Sequence, residues 1–121
     1  MKDKALRYNT GKLDMSILDY KSLEPLIKVM EAGAVKYERN NWKKSGFTKE
    51  SIINSGLRHI TALSDAIANG TSEYDDDTTV HHIGGVFAFC MFYTKHFVEN
   101  STDPEQDWET TLKNLKIKYD S

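Results

Sequence analysis

The segment from Val80 to Val98 constrains the fold most, because apolar residues fall on nearly every side of a helical wheel drawn for it. A helix of that kind is buried all round, either in a core or in a subunit interface. Three consecutive aspartates (residues 75–77) and a His-His pair (residues 81–82) stand at its start. Acidic residues suit the positive end of a helix, and Thr78 or Thr79 can cap it. We therefore expect oxygen and imidazole ligands at the mouth of the most buried segment.

Two amphipathic helices are predicted before this segment. Apolar residues recur with helical spacing after Ser22, so the first helix should begin near that residue and end by residues 39–41. Thr48 is the predicted N-cap of the second helix, and Gly70 is its predicted left-handed C-cap. Gly56, inside the second helix, costs about 1 kcal/mol relative to alanine, and close helix packing is the best explanation for it.

The predicted fold class is all-α: an antiparallel bundle of three main helices plus a short C-terminal helix. The chain 1–121 is expected to be one domain, with an N-terminal arm over residues 1–20 and the last helix within residues 101–121, capped by Asp103. Three helices of this size, one of them apolar all round, cannot hide their apolar surface in a monomer. A homodimer or homotetramer is therefore expected to complete the bundle.

Composition excludes several classes of protein. The chain has 16 basic and 18 acidic residues, so no basic field favours stable binding of nucleic acid. The single cysteine, Cys90, lies in the apolar helix, where we expect it to be buried and unreactive. No apolar run opens the chain, and residues 83–98 are too short and too interrupted by Lys95 and His96 to span a bilayer. These features predict a cytoplasmic protein without a membrane partner.

Cations and flat aromatic rings are interleaved at the end of the first helix. They are Lys36, Tyr37, Arg39, Trp42, Lys43 and Lys44. Phosphates bind lysine and arginine, and bases stack on aromatic rings, so the pattern is typical of a nucleotide site. Basic residues are also common at helix C-termini because of the helix dipole. A solvated helix end beside a core tryptophan therefore stays open as an alternative.

Two further groups of residues are candidates for chemistry. Arg58 and His59 are adjacent in the second helix and point about 100° apart, so only one of them can face a given site. An arginine there needs an anion, whereas a lone histidine is more often a satisfied core residue. The second group, Asp75, Asp76, Asp77, His81 and His82, combines oxygen and imidazole ligands that suit Mg²⁺ or Mn²⁺, unless it is only an ordinary acidic helix N-terminus.

The chain contains no P-loop, dinucleotide fingerprint or persuasive nucleophile constellation. In the N-terminal arm, Arg7 and Lys12 flank Gly11, where a backbone can approach an anion closely. An ordinary N-terminal arm is the alternative interpretation of that stretch.

The order of these motifs resembles a known family. They are R-Y-N-T-G-K, P-L-I-K-V-M-E-A-G-A-V-K-Y-E-R-N-N-W, L-R-H-I-T-A-L and G-x₄-D-x-D-x₄-H, followed by the apolar helix. Together they resemble the phage and bacterial dATP/dGTP diphosphohydrolases (MazZ-like), relatives of the all-α MazG nucleotide pyrophosphohydrolases. The resemblance covers roughly residues 5–98 and leaves the C-terminal helix outside it.

The resemblance implies a helical, oligomeric, metal-dependent enzyme that cleaves purine deoxynucleoside triphosphates between the α and β phosphates. The catalytic residues it implies are Asp75, Asp77, His82 and His59. The substrate-binding residues it implies are Arg7, Lys12, Lys36, Asn41, Trp42 and Arg58. The metal, Mg²⁺ or Mn²⁺, would be held by Asp75, Asp77 and Glu31. A phage-encoded member would work in the host cytoplasm.

Two positions depart from the pattern of that family. Gly85 stands where a second histidine is expected, and Phe89 stands where an asparagine is usual. Glu31 has no acidic partner one turn later, because Ala34 and Val35 stand there. These departures keep open a catalytically silent protein that binds and sequesters a nucleotide. A helical oligomerisation module without a ligand is the third alternative, but it leaves the basic-aromatic and acid-histidine clusters unexplained.

Overall fold

A computed structural model describes residues 5, 12–102 and 107–120 of the chain. Within these ranges the regular elements are helices, and the single β-bridge joins Tyr74 to His81. The all-α fold class is therefore confirmed. The described residues divide between two compact units, one comprising Asp19–Ser101 and the other lying within Met1–Leu18 and Thr102–Ser121.

In the larger unit, helix α1 spans Glu24–Lys36 and helix α2 spans Lys49–Asn69. A 3₁₀ turn, Tyr20–Leu23, precedes α1, so the α-helix begins two residues later than the predicted Ser22. Both predicted ends of α2 are confirmed. The Thr48 hydroxyl accepts the Ser51 N–H at 3.0 Å, and Gly70 adopts the left-handed conformation with φ = 64°.

Helix α3 spans His82–Tyr93 and continues as a π-helical turn over Thr94–Val98. Its N-cap is His81, so the predicted caps Thr78 and Thr79 are wrong. The physical reason lies in the preceding loop, where the Asp75 carboxylate binds the Asp77 and Thr78 N–H groups and Thr79 takes φ = 63°. This turn ends before the helix starts, and His81 Nδ1 then accepts the Ile83 N–H at 3.0 Å.

Helix α3 packs between α1 and α2, and glycines allow the close approach. A Cβ atom built on Gly84 would lie 2.5 Å from the Pro25 carbonyl oxygen at the start of α1. A Cβ atom on Gly56 of α2 would lie 2.3 Å from the Phe89 ring of α3. The interpretation of Gly56 as a close-packing residue is thus confirmed.

Few large side chains are buried in the chain alone. The buried hydrophobic residues of the described ranges are Ile52, Ala66, Val80 and Ala88. Cys90 is exposed, so its predicted burial is wrong for the single chain. The reason is that α1 and α2 cover only part of the circumference of α3, whose buried residues are Gly84, Gly85 and Ala88.

In the smaller unit, α4 spans Trp108–Tyr119 and a 3₁₀ turn spans Met15–Ile17. The N-cap of α4 is Asp107, whose carboxylate accepts the Thr110 N–H at 3.1 Å, and not the predicted Asp103. Asp103 itself lies outside the described residues. No helix in the described part of the chain is both long enough and apolar enough to cross a membrane.

Candidate functional site

One cavity of about 580 Å³ opens beside the C-terminal end of α1. Its volume is in the range of small-molecule sites. Six of the residues predicted for the site line this cavity: Lys36, Asn41, Trp42, His59, Asp75 and Asp77. The end of α1, the turn after it, the middle of α2 and the acidic loop before α3 thus converge on one place.

Three potential metal ligands form a group, and two of them, His59 and Asp75, line the cavity. The group consists of His59 from α2, Asp75 from the acidic loop and His82 at the first residue of α3. One ligand atom from each lies within 4.8 Å of the other two, and the Nδ1 atoms of His59 and His82 are 3.1 Å apart. All three residues are partly buried. We call this group the His-Asp-His cluster.

Two members of the His-Asp-His cluster, Asp75 and His59, have pKa values shifted towards the form that binds a metal ion. Hydrogen bonds from the backbone of Thr78 and of Asp77 hold the pKa of Asp75 below its ordinary value, despite an opposing effect of burial. These bonds all reach Oδ1, and no described residue donates a hydrogen bond to Oδ2. Burial, with His82 as a second cause, lowers the pKa of His59, so its ring is neutral at neutral pH.

Asp77 forms an ion pair with Lys36 at the outer side of the cavity. Both side chains are largely exposed, at 45% for Lys36 and 73% for Asp77. The hydrogen bond to Asp77 raises the pKa of Lys36, which keeps the ammonium group charged. Asp77 therefore lies in the same cavity as the cluster, but its carboxylate is paired with a cation and is not one of the three clustered ligands.

Aromatic rings form the wall of the cavity around Trp42. Trp42 stacks on Phe92 with ring centroids 5.5 Å apart, and Phe47 meets Phe92 edge-on. The Trp42 carbonyl oxygen lies 2.6 Å from His96 Nε2, which donates to it from the π-helical turn. Such turns occur frequently at functional sites. The sequence interpretation missed His96, although a histidine interrupting the apolar helix was a signal that could have identified it.

Two predicted residues of the larger unit, Arg58 and Glu31, do not line the cavity. Arg58 is exposed and does not line it, so His59 is the member of the pair that faces the site. Glu31 is exposed and belongs neither to the cavity lining nor to the His-Asp-His cluster. Lys12 is exposed in the smaller unit. Arg7 lies outside the described residues.

The two departures from the family pattern both lie at the contact between α3 and α2. A Cβ atom on Gly85 would lie 2.3 Å from Cδ2 and 2.5 Å from Nε2 of His59. The Phe89 ring fills the space over Gly56. Gly85 therefore makes room for the imidazole of His59, which occupies the place that a side chain at position 85 would need.

Comparison with known families decides where the chain belongs. A family model described as "dATP/dGTP diphosphohydrolase, N-terminal" matches residues 2–114. The chain belongs to this family. The match to the dATP/dGTP diphosphohydrolase N-terminal family extends from the N-terminal arm into α4, beyond the residues 5–98 that carry the resemblance.

The chain is similar to a dATP/dGTP diphosphohydrolase of Salmonella phage PMBT28, with 23% identity over 111 residues. The alignment covers 92% of this chain and 36% of that protein. The chain thus spans about a third of the length of the curated relative it matches. No solved structure matches the chain.

Proposed function

We propose that this chain holds the site of a metal-dependent pyrophosphohydrolase that converts dATP- or dGTP-type nucleotides to the monophosphate and pyrophosphate. One observation carries the proposal: a cation, an aromatic wall and two members of the His-Asp-His cluster, His59 and Asp75, line the same cavity. A nucleoside triphosphate needs these three features at one place, for its phosphates, its base and its metal ion. Family membership supports the same reaction.

In the proposed complex the base stacks on Trp42, and the Asn41 amide beside it hydrogen-bonds the base or the sugar. Lys36 exchanges its partner Asp77 for a phosphate oxygen. The exchange leaves the Asp77 carboxylate free to orient the attacking water and accept its proton. General base catalysis of this kind contributes about 10²- to 10⁴-fold to a rate.

The donors of His59, Asp75 and His82 fit a divalent cation, since imidazole nitrogens and a carboxylate oxygen are ordinary metal ligands. When bound there, the ion supplies positive charge that stabilises the phosphates in the transition state. The water oxygen attacks the α-phosphorus, the bond from that phosphorus to the bridging oxygen breaks, and pyrophosphate leaves. Arg58 and Glu31, which lie outside the cavity, have no role in this proposal.

Incubation of the protein with each deoxynucleoside triphosphate and Mg²⁺ or Mn²⁺ tests the proposal, with products resolved by ion exchange. We expect dAMP or dGMP together with pyrophosphate. Asp75→Asn and Asp77→Asn should abolish turnover and leave the helix content unchanged. Asp76→Asn is the matched control, since Asp76 is exposed between them and lines no part of the cavity, and it should retain turnover. Absence of any monophosphate at high enzyme concentration would refute the proposal.

A second candidate is a catalytically silent protein that sequesters a nucleotide. It is favoured by the small number of acidic ligands, because Asp75 is the one carboxylate in the His-Asp-His cluster and Asp77 is ion-paired. Calorimetry with purine nucleotides, with and without a chelator, separates the two candidates. Tight binding that does not depend on metal, without turnover, would favour the silent protein.

We also propose that the chain assembles as a homodimer or homotetramer. On α2 an apolar stripe of Ile53, Leu57, Ile60 and Ile67 is exposed by 39 to 65%. Such a stripe is commonly covered in a bundle of subunits. Light scattering at micromolar concentration tests this, and a clean monomer mass would refute it. The expected place of action is the cytoplasm, which is the host cytoplasm if a phage encodes the chain.

A further inference from the structure

We propose that His59, Asp75 and His82 bind one divalent transition-metal ion, of the class of Mn²⁺, Co²⁺ or Zn²⁺, in preference to Mg²⁺ and without the help of a nucleotide. The use of this ion in catalysis rests on the proposed function, whereas its binding stands on the ligands alone. The site differs from the all-carboxylate set of Asp75, Asp77 and Glu31 that the family resemblance implied, because it contains two imidazoles and a single carboxylate.

The donor types distinguish between metal ions. Mg²⁺ prefers oxygen ligands and loses its water reluctantly, so it is usually held by carboxylates and substrate phosphates. Imidazole nitrogen suits the first-row transition metals, whose affinities rise from Mn²⁺ towards Cu²⁺. Two of the three clustered donors are imidazole nitrogens. The cluster therefore has the composition of a transition-metal site.

The spacing of the two imidazoles fits a single ion. Two nitrogen ligands about 2.1 Å from one ion, at an angle of about 90 to 110°, are about 3.0 to 3.4 Å apart. The Nδ1 atoms of His59 and His82 are 3.1 Å apart. The same distance without an ion requires one ring to donate a proton to the other. Metal binding therefore requires that neither Nδ1 atom carries a proton, whereas a His-His hydrogen bond requires that one of them does.

Each ligand is held in place by the surrounding backbone and packing. Asp75 is fixed by its bonds to the Asp77 and Thr78 N–H groups, which leave Oδ2 available. The His82 N–H donates to the Glu73 carbonyl oxygen at 3.0 Å. The His59 ring lies in the space over Gly85. A site whose ligands are already positioned can bind its ion before a nucleotide arrives.

Three protein ligands leave at least one coordination position for another group. His59 and Asp75 line the cavity, so this position faces the space proposed for the nucleotide. Catalytic metal sites have such an open position, whereas structural zinc sites are closed by four protein ligands. The site is therefore suited to hold an ion that meets a phosphate oxygen in the cavity.

Titration of metal-free protein with Co²⁺ in the absence of nucleotide tests the proposal, followed by the visible absorption of the bound ion. We expect one Co²⁺ per chain, and a thousandfold excess of Mg²⁺ should not displace it. His59→Ala, His82→Ala and Asp75→Asn should each weaken binding at least about 100-fold, since even loss of a group that only supports a ligand costs about 10- to 100-fold. His82→Gln repeats the test should His82→Ala not fold.

Two matched controls are available in the same segment. His81 caps α3 and bonds Glu73, and His81→Asn retains a capping side chain while removing an imidazole next to His82. Asp76→Asn removes a carboxylate next to Asp75. Both variants should bind Co²⁺ like the unmodified protein. A loss in His81→Asn equal to that in His82→Ala would overturn the assignment.

The outcomes separate this proposal from the proposed function. If the unmodified protein cleaves dATP with Mg²⁺ but binds no Co²⁺ or Mn²⁺ without nucleotide, the transition-metal site is refuted and the activity stands. If one Co²⁺ binds per chain and the ligand variants lose it, but no nucleotide is cleaved with any metal, the site stands and the activity is refuted.

Discussion

Replacement of Gly84 by alanine tests the helix packing that brings the site together. A methyl group at this position would lie 2.5 Å from the Pro25 carbonyl oxygen and 2.9 Å from Val29 Cγ2. Ordinary van der Waals contact begins at 3.4 Å, so α1 and α3 would have to separate by about 0.9 Å at this point. The nearest atom belongs to the backbone, so a change of side-chain rotamer cannot relieve the contact.

The magnitude follows from two opposing effects. Overpacking of a well-packed contact costs about 1 to 3 kcal/mol. Alanine is favoured over glycine inside a helix by about 1 kcal/mol. Gly33→Ala in α1 is the matched control, because a Cβ atom there meets nothing within 4 Å and only the second effect applies. The difference in unfolding free energy between the two variants therefore isolates the clash, at about 1 to 3 kcal/mol.

Urea and thermal unfolding followed by circular dichroism measure this difference. A chain of 121 residues has an unfolding entropy of roughly 0.25 kcal/mol/K, so the two melting temperatures should differ by about 4 to 12 °C, with Gly84→Ala the lower. Equal stability of the two variants would refute the close contact of α1 with α3.

Three other changes have defined outcomes. Thr48→Ala removes the capping hydroxyl of α2 and should lower the free energy of unfolding by about 1 kcal/mol in urea titrations, whereas Thr48→Ser should not. Lys36→Met should raise KM at least about tenfold with little change in kcat, as expected for a residue that binds phosphate. Lys95→Met is the control: it breaks a surface pair with Glu99 and should leave both constants unchanged. Gly85→Ala should displace the His59 ring and weaken Co²⁺ binding. The melting temperature should change little, because the atoms that the new methyl group meets belong to the His59 side chain, which can move away.

For each of these three variants, one result would contradict the expected outcome. An unchanged urea midpoint for Thr48→Ala would refute the capping box. A fall in kcat at constant KM for Lys36→Met would place that lysine at the reacting atoms instead of at a binding phosphate. Unchanged Co²⁺ affinity in Gly85→Ala would show that the ring of His59 does not need the space over Gly85.

Features decided by neighbouring residues could be predicted from the sequence. Thr48 and Gly70 delimit α2 because a capping hydroxyl and a left-handed glycine act within one helical turn. The start of α3 was mispredicted because the Asp75 carboxylate competes for the backbone N–H groups of the loop and Thr79 adopts a positive φ. A helix-period pattern contains no information about such a turn.

In the candidate site too, features that depend on residues close in sequence could be predicted, and features that depend on helix packing could not. Lys36 and Trp42, which line one cavity, could be proposed together because cations and aromatic rings are close in sequence at the end of α1. The pairing of His59 with His82 was not predicted, since it joins residues 23 positions apart and depends on how α2 crosses α3 at Gly85. Glu31 was assigned as a ligand by resemblance alone and lies on an exposed part of α1.

A crystal structure with Mn²⁺ and a purine deoxynucleotide analogue that resists cleavage between the α and β phosphates tests whether metal, base and phosphate meet in this cavity. We expect an anomalous Mn²⁺ peak bounded by His59, Asp75 and His82, with the base on Trp42 and a phosphate oxygen bound to Lys36. A metal ion held elsewhere, or a nucleotide bound outside this cavity, would contradict this expectation.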